Sequence, residues 1–208
     1  VAPHQDVVIS VKRGFPGISE GQFTVAKSGY TVPFFNSEGL IHGYQIRLDN
    51  IKDSRYRWAK GDFSSHIVKR NKLELPLTFI GNSKSNRVGL TEGGLKPLLA
   101  AKKLNLPFIG AASGNFTSSF IQFQELIKDF SEVIIFPDAG DVLNHNVMRR
   151  WRTQINYLNH LGKKVMIAWW GQVEKQDHDI DEIDDSQLKR MVLINSEKWL
   201  KIINKQDS

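Results

Sequence analysis

From residue 87 onward the sequence alternates short apolar runs with longer stretches of helical spacing, and no other feature restricts the fold as much. Arg87–Thr91, Pro107–Ala111, Glu132–Phe136 and Lys164–Trp169 have the length and punctuation of strands. Between them, Gly94–Leu104 places Leu95, Leu98, Leu99 and Leu104 on one side of a helix. Ser118–Phe130 has the same period, and Asn146–Leu161 is a third helix closed by Gly162. Glu132–Phe136 (EVIIF) is continuously apolar, as expected of a strand covered on both faces. Strands joined by helices of this length imply an α/β fold with a parallel sheet.

The first 84 residues read differently. Asp6–Val11 and Gln22–Ala26 are short β-branched runs between Gly, Pro and Ser, and Gly39–Leu48 alternates like a strand or hairpin arm. Arg55–Ala59 follows the turn-prone Asp49-Asn50 and Lys52-Asp53-Ser54. Arg47, Arg55 and Arg57 therefore lie near Tyr44, Tyr56 and Trp58. Interleaved arginines and aromatics hold phosphates and stack bases, although a half-exposed sheet face has the same pattern. Gly81–Asn86 (GNSKSN) is polar and marks the change of period. The expected organisation is a β-rich subdomain over residues 1–84 and an α/β domain over 85–208.

Charge follows that division. Residues 1–84 carry 12 Lys and Arg against 7 Asp and Glu, whereas residues 85–208 carry 16 against 15. A basic first part beside a nearly neutral second part fits a polyanion-binding face next to a site built from carboxylates. The chain has 208 residues, 40% hydrophobic and 24% charged, which suits a folded globular protein. With no cysteine, disulfide scaffolds and thiolate sites are excluded, and a reducing cytoplasm is the expected setting. No apolar run approaches the ~20 residues of a membrane span. No targeting signal is visible, and the start at Val1 suggests a piece of a longer protein.

Ligands of open parallel sheets bind beyond the carboxyl ends of the strands. Acids stand at three such ends: Glu92 after Arg87–Thr91, Asp138 and Asp141 after Glu132–Phe136, and the run Asp177–Asp185 after Lys164–Trp169. Carboxylates brought together there repel one another, and a hard divalent cation relieves that cost. Taken singly, Glu92 reads as a loop residue, Asp138 as a turn cap and the acidic run as solvated surface. Other chemistries lack a pattern. The histidines show no ligand spacing, GxxxxGK[ST] is missing, and Ser113-Gly114-Asn115 has no triad partners at nucleophile-elbow spacing.

Two of these elements, Leu90-Thr91-Glu92-Gly93 and Ile134-Ile135-Phe136-Pro137-Asp138-Ala139-Gly140-Asp141, resemble the Toprim fold of bacterial-type primases, topoisomerases and some nucleases. Thr91-Glu92-Gly93-Gly94-Leu95-Lys96, Pro137-Asp138-Ala139-Gly140 with Asn144, Ala168-Trp169-Trp170-Gly171-Gln172 and Asp179-Ile180-Asp181-Glu182 are closer still to the Toprim-like domain of cyanobacterial plasmid-replication proteins of the RepA type. The stretch from Gly43 to Trp58 is similar to the β-rich segment that precedes Toprim in primase-like proteins. The resemblance implies a Toprim-like Rossmannoid sheet preceded by a smaller β-rich subdomain. It also implies catalytic roles for Glu92 and Asp138, and Mg²⁺ or Mn²⁺ held by Glu92, Asp138, Asp141, Asp179 and Asp181. Arg47, Arg55, Arg57 and Lys96 would contact phosphates. Two positions depart from the family pattern: Gly140 replaces its second aspartate, and Lys96 stands where an acid is common.

The function these features imply is DNA replication: Mg²⁺-dependent nucleotidyl or phosphoryl transfer on single-stranded DNA, with nucleotides as substrates and no membrane. A helicase domain in the full-length chain is a further expected partner. Two alternatives share the same residues, a non-catalytic nucleic-acid-binding module and a Toprim nuclease. Gly140 and Lys96 favour the binding module, whereas Glu92, Asp138 and the late acidic loop favour catalysis.

Overall fold

The computed structural model describes residues 18–19, 22–23, 28–49, 55–59, 67–69, 72–81 and 84–204. The expected strand Asp6–Val11, the end of Gln22–Ala26 and the turn over 50–54 lie outside them. The chain forms two compact units, Val1–Pro76 and Leu77–Ser208.

In the first unit, β1 (Ile18–Ser19) pairs antiparallel with β2 (Gln22–Phe23). A three-stranded antiparallel sheet follows, in the order β3 (Gly29–Phe35), β4 (Ile41–Leu48), β5 (Tyr56–Trp58). Its first connection is tied by Asn36, whose Oδ1 accepts hydrogen bonds from the Glu38 and Leu40 amides at 3.0 and 2.9 Å. β6 (Ile67–Lys69) and β7 (Lys72–Glu74) make a separate antiparallel pair.

The second unit is the expected α/β domain. Its elements run β8 (Thr78–Ile80), β9 (Arg87–Glu92), α1 (Lys96–Leu104), β10 (Phe108–Ala111), α2 (Phe120–Ile127), β11 (Glu132–Ile135), α3 (His145–His160), β12 (Lys164–Trp169), α4 (Asp185–Arg190), β13 (Val192–Asn195) and α5 (Ser196–Asn204). The sheet order is β13-β12-β11-β9-β10-β8, with the four middle strands parallel and both edge strands antiparallel. Because β8 pairs with β10, the unit begins at Leu77 rather than at the expected 85.

Alternation along the middle strands sends residues into two cores. Val88, Leu90, Val133, Ile135, Val165 and Ile167 pack with α2 and α3 residues such as Phe123, Trp151 and Ile155. Ile134, Phe136, Ala168 and Trp170 pack on the other side with Ala100 of α1, together with Ile180 and Ile183. At the amino ends, Glu132 is held between Arg87 and Lys164 at 2.7 Å each, joining three strands that lie in register there. The opposite ends are left for other uses.

Helix α1 corrects one sequence expectation. Leu95, Leu98 and Leu99 are 38%, 45% and 48% exposed, while Pro97 and Ala100 are buried. The small residues win because the helix lies close on the sheet. A Cβ on Gly110 of β10 would run into the Gly93 carbonyl oxygen and the Pro97 ring. Gly110→Ala should therefore lower the unfolding free energy by roughly 1–3 kcal/mol through overpacking. Urea unfolding of the two proteins checks this, and equal midpoints would show that α1 yields freely.

Candidate functional site

The parallel sheet has a topological switch point. From β9 the chain crosses by α1 to β10 on one side, then returns by α2 to β11 on the other. A crevice opens at such a point beyond the carboxyl ends of the two diverging strands. Glu92 ends β9, and Pro137-Asp138 follows β11.

Local backbone then sets the side chains. Gly93 takes φ +82°, and its amide donates to the Ala111 carbonyl at 2.7 Å, turning the chain sharply into α1. Lys96 is the first residue of that helix, and Pro97 beside it suits a position where no amide donor is required. After β11, the Asp141 Oδ2 accepts from the Asp138 amide at 2.9 Å and from the Trp151 indole at 3.0 Å. Asp141 thus locks the Asp138 turn onto α3. Gly140 within this turn has φ +79°, and a Cβ there would lie 3.1 Å from Lys175 Cα. An aspartate at 140 is disfavoured both by this backbone and by the Lys175 segment packed on it.

The late acidic loop folds back over the turn, anchored by Ile180 and Ile183 in the core and by a Trp170 indole hydrogen bond of 2.9 Å to the His178 carbonyl. Asp179 Oδ1 accepts from the Ala139 amide at 2.7 Å. Its Oδ2 lies 2.7 Å from Lys96 Nζ, and the same ammonium pairs with Asp138 Oδ2. Glu92, Lys96, Asp138 and Asp179 therefore form one electrostatic cluster backed by Asp141. Asp181 Oδ1 is buried without a hydrogen-bond partner, and so is Asp138 Oδ1. Asp184 instead caps α4 in a reciprocal pair with Gln187.

Burial dominates the proton affinities. It pushes Asp138 up to about 7, with Lys96 pulling down and Asp179 and Glu92 adding to the rise. Burial also raises Glu92 against the pull of Lys96. Asp141 is raised by burial and moderated by Trp151, and Asp181 is likewise raised by burial. Burial disfavours the Lys96 charge, but Asp138 and Asp179 more than offset it and hold the ammonium above its ordinary range.

A divalent ion does not fit this arrangement. Among the described residues, no three His, Cys, Asp or Glu side chains are gathered closely enough to hold one. The Asp138 and Asp179 oxygens facing each other are both engaged by Lys96, and Asp141 Oδ2 is engaged by Asp138 and Trp151. A further cation about 4 Å from that ammonium would be opposed by about 4 kcal/mol per unit charge at an effective dielectric of 20. The five expected ligands Glu92, Asp138, Asp141, Asp179 and Asp181 are thus near one another without forming a metal set.

The expected basic residues also separate. In the first unit, Arg47 of β4 stands across from Tyr30 of β3 and Tyr56 of β5. Its Nη1 donates to the Tyr30 hydroxyl at 2.8 Å, and the guanidinium carbon lies 5.4 Å from that ring's centre. Tyr30 and Tyr56 are 44% and 43% exposed. Arg57 pairs with Ile46 and so faces the other way, as does Arg55, whose carbonyl accepts from the Leu48 amide. Tyr44 also faces away from Arg47. Tyr30 was missed by sequence reasoning because Gly29 and Pro33 mask the alternation of β3. Lys175 and Trp151 were missed because only the fold brings them to the cluster.

No protein-family model matches the sequence, and no curated protein does. Among solved structures, the chain is similar to the E. coli primase catalytic core, with TM-score 0.54 and 14% identity over 84% of this chain and 56% of that one. It is similar to the zinc-binding and RNA polymerase domains of Aquifex aeolicus primase, with TM-score 0.52 and 16% identity over 85% of this chain and 40% of that one. A DNA primase domain from Pseudomonas aeruginosa gives TM-score 0.52 and 16% identity over 77% and 49%. The chain thus spans between 40% and 56% of the length of these structures. The α/β architecture expected from the sequence is the fold this chain shares with these primase domains.

The four raised carboxyls make the fold's stability depend on pH. Each binds its proton more tightly in the folded chain than in the unfolded one. That contribution is complete in acid and is lost as pH rises from the ordinary carboxylate range through about 7, the value for Asp138. The urea midpoint should fall between pH ~5 and ~7.5, and Asp138→Asn should flatten the fall. A midpoint that rises over this window would mean that the cluster is fully satisfied when ionised.

Proposed function

We propose that this chain is the DNA-handling part of a replication protein, of the plasmid-initiator kind its sequence resembles, and that it binds single-stranded DNA for a helicase or polymerising partner. The observation that carries this reading is the cross-strand row Tyr30–Arg47–Tyr56. An arginine flanked by two half-exposed tyrosines offers a charge for a phosphate and π-faces for bases, a pairing suited to single strands of any sequence. The basic balance of residues 1–84 supports it, and so does the fold likeness to primases.

A second reading, Mg²⁺- or Mn²⁺-dependent nucleotidyl transfer at Glu92 and Asp138, is favoured by one observation. Asp138 Oδ1 is buried without a partner at the switch point, where such chemistry is sited in open sheets. The lysine pairing described above weighs against it. Primer synthesis by the protein, abolished by Glu92→Gln, would make the second reading the better one.

Fluorescence anisotropy with a labelled oligonucleotide tests the first. Arg47→Ala should weaken binding and lessen the salt slope by about 0.7. Tyr56→Ala should cost roughly 1–3 kcal/mol. Lys102→Ala removes an exposed charge from α1 and should leave affinity near that of the unaltered chain. Equal losses for Arg47→Ala and Lys102→Ala would assign binding to net charge, and this face would lose its role.

A further inference from the structure

We infer that the solvent face of α3 is a second binding surface for single-stranded nucleic acid, built by the α/β unit from its own residues. The helix has three arginines, two histidines and no acid. Its buried side is Met148, Trp151, Gln154, Ile155 and Leu158, which leaves Asn146, Arg149, Arg150, Thr153, Asn156 and His160 as one exposed stripe. Over 16 residues the helix is about 24 Å long, enough to follow several phosphates along a strand.

Charge in this unit is segregated rather than mixed. Of the 15 acids over residues 85–208, seven lie between Glu174 and Asp185, a segment whose Ile180 and Ile183 pack on the α1 side of the sheet. α3 packs on the opposite side. Among the described residues neither Arg149 nor Arg150 meets a carboxylate. Arg149 Nη2 reaches the Asn146 side-chain oxygen at 3.5 Å, and Arg150 Nη1 donates to the Ser113 carbonyl at 3.3 Å. Arg87, by contrast, is neutralised by Glu132. Guanidiniums left without counter-charges on an acid-free face attract a polyanion, and arginine beside amide side chains is the usual equipment for phosphate oxygens.

Phe120 selects a single strand over a duplex or an acidic protein. It opens α2, is 41% exposed, and its ring centre lies 5.2 Å from that of Tyr157. Tyr157 follows Arg150 by two turns of α3, so the aromatic pair stands beside the arginine row. A base free of its own stack can lie on the phenyl ring there, whereas the bases of a duplex are stacked on one another. The surface is separate from Tyr30–Arg47–Tyr56 and does not rest on it.

The test is anisotropy of labelled oligothymidine with the full chain, with thermal melting to confirm that each variant is folded. Arg149→Ala/Arg150→Ala should weaken binding roughly tenfold at about 0.1 M salt and lessen the salt slope by about 1.4. Arg149→Ala alone, whose hydrogen bond stays within its own helix, should give about half that change in slope. Phe120→Ala should weaken binding of oligothymidine but not of an abasic strand of equal length. Lys102→Ala/Lys189→Ala removes the same charge from exposed positions on α1 and α4 and should leave affinity unchanged. The inference is overturned if the arginine variants bind like the unaltered chain, or if the lysine pair loses as much. It is also overturned if a duplex binds as tightly as the single strand, or if polyglutamate competes as well as the oligonucleotide. Arg47→Ala in the same titration reports on the DNA-handling reading. Loss at Arg47 with none at α3 leaves that reading standing and this one fallen, the reverse pattern does the opposite, and no binding by the unaltered chain overturns both.

Discussion

Like charges confined to a low-dielectric crevice need a counter-charge, and the second unit is organised around that requirement. Parallel strands deliver side chains from different loops to one place, and here several of those side chains are acids. Desolvation and mutual repulsion push their proton affinities up. The Lys96 ammonium relieves part of the strain from within the chain. It does so because α1 begins where β9 ends, so the lysine reaches both Asp138 and Asp179 from the first turn of its helix.

That reach depends on backbone spacing. Gly93 turns the chain, Gly110 leaves room for the Gly93 carbonyl and the Pro97 ring, and α1 settles close against β10. The same closeness explains why small residues line the buried side of the helix. At the other end of the strands, Glu132 between Arg87 and Lys164 holds the register on which the carboxyl-end geometry rests. One pole of the sheet is satisfied by surface-accessible ion pairs and the other by a lysine enclosed among carboxylates.

Much of this was legible in the sequence, for identifiable reasons. The four parallel strands showed as apolar runs because both faces are covered, and Asn146–Leu161 showed as a helix because Met148, Trp151, Ile155 and Leu158 fall on one buried side. Glu92 and Asp138 could be placed because a strand end is a position, whatever the tertiary contacts. What failed depended on partners. Leucine content pointed α1 the wrong way, since packing distance and not hydrophobicity chose its inner side. Asp141 read as a ligand, but its carboxylate fastens a turn to an indole ten residues along the chain. Lys96 was visible as a departure, yet its pairing with Asp179 joins segments that only the fold brings together.

Gly140 carries a consequence for the mutational neighbourhood of this chain. A second carboxylate at that position would have to adopt a left-handed backbone and displace the Lys175 segment, which stands 3.1 Å from where its Cβ would be. A single substitution meets both obstacles at once, so placing a carboxylate there requires the downstream loop that carries Lys175, itself hydrogen-bonded to the Ala139 carbonyl, to rearrange with it.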